Sequence, residues 1–308
     1  ETVEQSAVGS DKITLWYKWD GIDGGVLTKV DREIPNLDSD IKIFRSIKSL
    51  IPSNEKRALN ELVKNRSDLS YLDNTLLLQD YIEVLEEGLS ERNTKVQELF
   101  SNYQSGYLLN EYGLSIERLN ELEYLNREKT LANELELKNL LIMNLNLGLK
   151  LKSSTGKYYY VIDYKSLNEK LGDTISKEYR DYLNILALDT KEPYAIGDSL
   201  LIGFEKLGDR IPILEKFIIT YPYSKYIPEV EHIYSLYKKS FIFGDIHNPN
   251  FHEDSHKIKD EILVHWQNFI QTYPDSYFGD KLSDLLEDII KNQNVITDEI
   301  LSDYKHLY

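Results

Sequence analysis

The sequence predicts a mostly α-helical protein of stacked antiparallel helix pairs, α-solenoid-like, with two small β-hairpins. Three observations carry this. The phrase Phe217-Ile218-Ile219-Thr220-Tyr221-Pro222-Tyr223-Ser224 returns as Phe269-Ile270-Gln271-Thr272-Tyr273-Pro274-Asp275-Ser276, 52 positions later. Proline drives the residue before it out of the helical region, so Tyr221 and Tyr273 end their helices, and a stop repeated in register implies stacked helical units. Only 8 prolines and 15 glycines occur in 308 residues, so few breakers interrupt long helices. Apolar residues recur at three- and four-residue spacing from Asp38 onward.

Three regions follow: an arm or hairpin over 1–37, a helical region over 38–147, and a hairpin plus helical repeats over 148–308. Ile13-Thr14-Leu15-Trp16-Tyr17-Lys18-Trp19 has strand composition. A glycine-rich turn at 20–25 precedes a returning stretch, Val26 to Val30. Asp38 or Asp40 is placed to cap a helix ending at Leu50, and Ser53 the next. Asp73 opens a third, with Gly88 as its C-terminal stop, and Val96, Leu99, Phe100 and Tyr103 mark a fourth. No breaker lies between Ser115 and Gly148, which allows one helix of about 30 residues.

A second hairpin is expected over Leu149–Ile162, where alternation puts Tyr159 opposite Tyr158 and Tyr160. These rings and Trp16-Tyr17-Trp19 are expected at least partly in the core. Ser166 to Glu169 fits a capping box. Further helices are expected at about 177–189 and 204–220, the latter kinked at Pro212 or broken near Gly208. Three stripes then follow: Tyr226 to Phe241, Ile258 to Tyr273 and Leu282 to Ile290. A loop occupies 244–252, and a short last helix starts at Thr297.

The formal charge is −16. Nucleic-acid binders neutralise phosphate with clustered Lys and Arg, so this balance argues against DNA or RNA partners. It also disfavours an anionic membrane surface unless a lipid anchor supplies attachment. With no cysteine, disulfides, thiolate metal sites and cysteine nucleophiles are excluded. The chain opens at Glu1 with a loose polar stretch, the appearance of a sequence from which a signal peptide or lipidated segment has been trimmed.

The sharpest chemical motif is His252-Glu253-Asp254-Ser255-His256. On a helix its two histidines fall one turn apart and can hold zinc, with Glu253 as general base. Charged Asp254 and Lys257, and the lack of a third ligand beyond nearby Glu261 and distant Glu287, favour a polar loop instead. That loop leads into a helix capped by Asp254 or Ser255. The zinc-dependent hydrolase is therefore the alternative reading, and no catalytic, cofactor-binding or metal residue is assigned. Ser53/Lys56, Ser235/Lys238 and Ser302/Lys305 have Ser-x-x-Lys spacing without the companion motifs of serine acyl transfer.

The Phe-Ile-x-Thr-Tyr-Pro-x-Ser junction resembles those in tetratricopeptide-like repeats of bacterial envelope lipoproteins, including the lipoprotein of the outer-membrane β-barrel assembly machine. The region from about 148 to 307 is similar to uncharacterised helical secreted lipoproteins of low-GC Gram-positive bacteria. Tyr158 to Leu167, Phe217 to Ser224, Phe241 to Phe251 and Phe269 onward carry that likeness. It implies an extracytoplasmic, lipid-anchored protein at the cell envelope. The 52-residue period exceeds the 34 of a regular tetratricopeptide array, and that motif's small alanines are missing, so its superhelical peptide binding is not carried over. The expectation is a non-enzymatic scaffold or binding module for another envelope protein, a peptide or a glycan. An intracellular peptide sensor is a third reading.

Overall fold

The computed structural model describes residues 12–17, 28–33, 37–102, 115–127, 130–132, 134–154 and 156–307. The protein is mostly α, built of antiparallel helix pairs with small β-ladders. Its chain forms two compact units, 1–85 and 86–308.

In the first unit, β1 (Lys12–Tyr17) pairs antiparallel with β2 (Thr28–Glu33), Lys12 opposite Glu33 and Tyr17 opposite Thr28. The expected Gly-rich turn, Trp19 and the surroundings of the Trp16 and Tyr17 rings lie outside the described residues. Helix α1 (Leu37–Leu50) places Asp38 and Asp40 inside its first turn rather than ahead of it. Helix α2 (Glu55–Asn65) is capped by Asn54, whose side chain accepts from the Arg57 N–H at 3.1 Å, so the cap is one residue later than Ser53. Ile47, Ile51, Leu59, Leu62, Leu77 and Tyr81 form the core, each at most 2% exposed.

Helix α3 (Tyr71–Asn102) corrects two expectations. Its start is fixed by Ser70, whose Oγ accepts from the Asp73 N–H at 3.1 Å and donates to the Asp73 carboxylate at 2.7 Å. It does not stop at Gly88; Val96, Leu99 and Phe100, expected to mark a fourth helix, continue it, and Tyr103 lies outside the described residues. The Arg92 side chain lies where a Cβ at Gly88 would come within 3.1 Å of Nε, so the glycine gives way to an arginine lying along the helix.

The second unit holds the other elements. Ser115–Gly148 is not one helix; its described residues form three, α4 (Ile116–Leu119), α5 (Leu122–Leu125) and α6 (Leu135–Asn146). Tertiary hydrogen bonding overrides propensity there. The Asn120 side chain closes a two-way bond with the Leu151 backbone, accepting from its N–H at 2.7 Å and donating to its carbonyl at 2.9 Å. Leu131 also takes a left-handed φ of 50°, which no continuous helix accommodates.

Leu151 belongs to β3 (Leu149–Ser154), which pairs with β4 (Lys157–Ile162) in the expected hairpin. The far edge of β4 is met by α3: Asn93 Oδ1 accepts from the Tyr160 N–H at 2.6 Å, and Gln97 Oε1 from the Tyr158 N–H at 2.7 Å. Asn93 and Gln97 are one helical turn apart, which suits alternate N–H groups of a strand. The expected alternation holds, with Tyr158 and Tyr160 buried and Tyr159 half-buried. Tyr158 stacks on Phe100 at 3.8 Å.

Three helix pairs follow. The first is α7 (Tyr164–Leu171) with α8 (Lys177–Lys191). The cap of α7 is Asp163, accepting from the Ser166 N–H at 3.0 Å, so Ser166 is the capped residue and not the cap. A two-residue ladder, β5 (Ala195–Ile196) with β6 (Ser199–Leu200), leads into α9 (Phe204–Thr220). Helix α9 is unbroken through Gly208 and Pro212, and pairs with α10 (Ile227–Phe243). The last pair is α11 (Asp260–Thr272) and α12 (Tyr277–Lys291), followed by α13 (Asp298–Asp303).

Polar side chains lock one pair to the next. Arg210 of α9, 6% exposed, donates to Asp189 of α8 at 2.8 Å and to the Glu192 carbonyl at 2.6 Å, and Tyr237 of α10 donates to the same Asp189 at 2.9 Å. Buried Glu215 of α9 accepts from the Tyr234 hydroxyl at 2.6 Å and the Phe278 N–H at 2.7 Å. Phe278 is in the first turn of α12, so the carboxylate meets the positive end of that helix. Gly244 ends α10 with φ 77°; a Cβ there would lie 2.2 Å from the Asn248 carbonyl, so glycine is required.

Asn120→Ala strips partners from the N–H and carbonyl of fully buried Leu151. We expect a loss of about 1–3 kcal/mol in urea unfolding, with the helical signal of the folded protein retained.

Candidate functional site

The two Tyr-Pro corners occupy equivalent settings. Tyr221 caps α9 at φ −129°, ψ 58° and Tyr273 caps α11 at φ −123°, ψ 63°. Each N–H bonds a phenylalanine carbonyl one turn back at 2.9 Å: Phe217 and Phe269 respectively. Each carbonyl accepts from the serine three residues on at 3.0 Å. Each ring packs on that phenylalanine, with centroids 5.0 and 5.2 Å apart.

The hydroxyls then reach to a neighbouring helix. Tyr221 donates to Asp181 of α8 at 2.7 Å, and Tyr273 to Asp209 of α9 at 2.6 Å. Burial first, then the Asp181 carboxylate, pushes the Tyr221 phenol up to about 12. For Tyr273 the hydrogen bond to Asp209 leads, again to about 12. A neutral phenol can donate to a carboxylate, whereas a phenolate would face it as a like charge.

Each corner closes one end of a cleft. That between α8 and α9 has a volume of about 310 Å³ and is lined by Phe217, Thr220, Tyr221, Lys216 and Asp181. The cleft between α9 and α11 has a volume of about 70 Å³ and presents the equivalents Phe269, Thr272, Tyr273, Asn268 and Asp209. The second is narrowed by aromatic rings: His265 stacks on Phe204 at 5.5 Å, and Phe241 and Phe269 crowd Gly208.

The first cleft extends along the whole α8–α9 seam. A further hollow of about 480 Å³ continues it, sharing Asn184 and Ile213. On α8 the lining stripe is Lys177, Asp181, Asn184, Leu188 and Lys191. On α9 it is Lys206, Asp209, Ile213, Lys216 and Thr220. Both stripes step by three and four, as one face of a helix does. The N-terminal half of α8 faces the C-terminal half of α9, so the helices run antiparallel beneath the groove. Exposed Ile213 is its apolar midpoint, at 42%.

His252, Glu253 and His256 are exposed in a turn, not on a helix. The His252 N–H donates to the Lys257 carbonyl and the His256 N–H to the His252 carbonyl, each at 2.8 Å, and His256 has φ 53°. Helix α11 starts only at Asp260, without a side-chain cap, so neither Asp254 nor Ser255 caps it. The one-turn, one-face relation that zinc chemistry needs is not formed. Among the described residues no group of three or more His, Asp or Glu side chains is arranged to hold a metal ion. Nor is any described helix long and apolar enough to cross a membrane.

The α8–α9 groove was not visible to periodicity, which registers apolar stripes and reads the polar ones opposite as solvated faces. The signal that finds it is the lysine spacing, Lys177 with Lys191 on one helix and Lys206 with Lys216 on the next. Compared with known proteins, the chain matches no family model, no curated protein and no solved structure.

Two outcomes test this geometry. Stability contributed by the neutral Tyr273 phenol is present below its ordinary value near 10 and lost as pH rises through about 12. In urea unfolding from pH 9 to 12, Tyr273→Phe should therefore show a shallower loss of stability than the wild type. Protein purified without chelator should carry no stoichiometric zinc by elemental analysis, and His252→Ala/His256→Ala should shift stability by less than about 0.5 kcal/mol.

Proposed function

We propose that this protein is a non-enzymatic scaffold or binding module that holds a protein partner along the α8–α9 groove, at the outer side of a bacterial membrane. The observation that carries the binding reading is the continuous groove, two polar stripes flanking an exposed isoleucine. Rigid, repeated helix pairs present such a surface with little loss of conformational freedom on binding. The bonds of Arg210 to Asp189 and of Tyr221 to Asp181, which join α8 to α9, hold the groove walls at fixed spacing. The envelope placement, with attachment through a lipid anchor, rests on the resemblance of the Tyr-Pro junctions to those of helical lipoproteins.

A photo-cross-linking residue at position 213, in cells that make the full-length protein, tests both parts. Position 213 should trap a discrete partner, whereas exposed Glu231 on α10 should trap none. Protease added to intact cells should digest the protein. Equal cross-linking at the two positions would remove the groove, and full protection from protease would remove the placement.

A further inference from the structure

The α8–α9 groove is basic in a protein that is strongly acidic. The chain has 52 acidic against 36 basic residues. Along the groove the balance reverses: Lys165, Lys177, Lys191, Lys206 and Lys216 line it against the three carboxylates Asp181, Asp209 and Glu192, while Arg210 is neutralised by Asp189.

Those three carboxylates are already engaged. Asp181 and Asp209 accept the corner tyrosine hydroxyls, and Glu192 pairs with Lys206 at 2.6 Å. Lys177, Lys191 and Lys216, all exposed, make no ion pair among the described residues. The unpaired positive charge sits at the two ends, with Lys177 and Lys216 at one and Lys191 at the other, where Lys165 and Lys206 are paired with Glu169 and Glu192. Ile213 and Leu188 lie between.

We infer that the partner segment seated in this groove is an acidic peptide with carboxylates at both ends and an apolar residue between them. The inference rests on the binding-module reading and names the chemistry of its partner. From Lys177 to Lys191 the groove is about 21 Å long at 1.5 Å per residue. An extended chain at about 3.3 Å per residue crosses it in six or seven residues. Its end carboxylates meet the unpaired lysines, and its central apolar side chain covers Ile213. The net charge of −16 does not prevent this, because charges beyond a Debye length of about 8 Å are screened while the groove lysines act at contact. A nucleic-acid strand fits less well: its charge at every unit would fall on Asp181 and Asp209 as well as on the lysines.

The test uses the whole chain and a fluorescein-labelled heptapeptide with two glutamates at each end and a central leucine. Anisotropy should show binding that weakens from about 50 to 300 mM sodium chloride. Lys177→Glu/Lys216→Glu should weaken it by roughly tenfold or more, and Lys177→Gln/Lys216→Gln by less. Lys239→Glu/Lys257→Glu, the same charge change away from the groove, should alter it less than about twofold. Equal loss in both Glu pairs, equal binding of the lysine-for-glutamate peptide, or tighter binding of a single-stranded oligonucleotide would overturn the inference. Absence of peptide binding with cross-linking at position 213 intact would also overturn it, while leaving the groove as a docking surface. Failure of both would remove the binding module itself.

Discussion

The hydrogen bond from a tyrosine hydroxyl to a carboxylate on another helix is the interaction on which the repeat region depends. Tyr182 bonds Glu229, Tyr221 bonds Asp181, Tyr234 bonds Glu215, Tyr237 bonds Asp189, and Tyr273 bonds Asp209. Each ring buries apolar area between helices while its hydroxyl satisfies a charge that would otherwise be costly beside that seam. A composition of 23 tyrosines and 52 acidic residues is thereby absorbed into the packing. An acidic chain without such donors would place carboxylates against one another at each helix contact.

The same bonds explain why the groove is basic. With Asp181 and Asp209 turned to tyrosines and Glu192 to Lys206, the carboxylates of the α8–α9 seam are spent on structure. The lysines beside them keep charges that nothing in the fold requires. Arg210 differs, since its guanidinium is buried and committed to Asp189 and the Glu192 carbonyl.

The features legible in the sequence were those fixed by local chemistry. Proline after Tyr221 and Tyr273 dictates a helix end whatever surrounds it, and both corners formed alike. Alternation over Tyr158 to Tyr160 was sufficient to place the hairpin and its buried faces. What failed depended on distant partners. Nothing local to Asn120 announces that its amide will bond Leu151 and divide a helix, and nothing local to Gly88 announces that Arg92, one turn on, will lie over it while bonding distant Asn144. Arg210 and Glu215 stand beside charged Asp209 and Lys216, and their burial follows only from other elements: Asp189 on the preceding helix for Arg210, and the start of α12 for Glu215. The groove was hidden for the same reason: its two stripes belong to different helices and acquire meaning only when facing one another.

The β3–β4 hairpin shows a last consequence. A two-stranded ribbon ordinarily exposes two rows of unmatched backbone groups, an invitation for another chain to add a strand. Here Asn93 and Gln97 cover one border and Asn120 the other, each side-chain amide standing in for a peptide unit. The ribbon is finished without neighbours, so the chain carries little risk of self-association into growing sheets at this point.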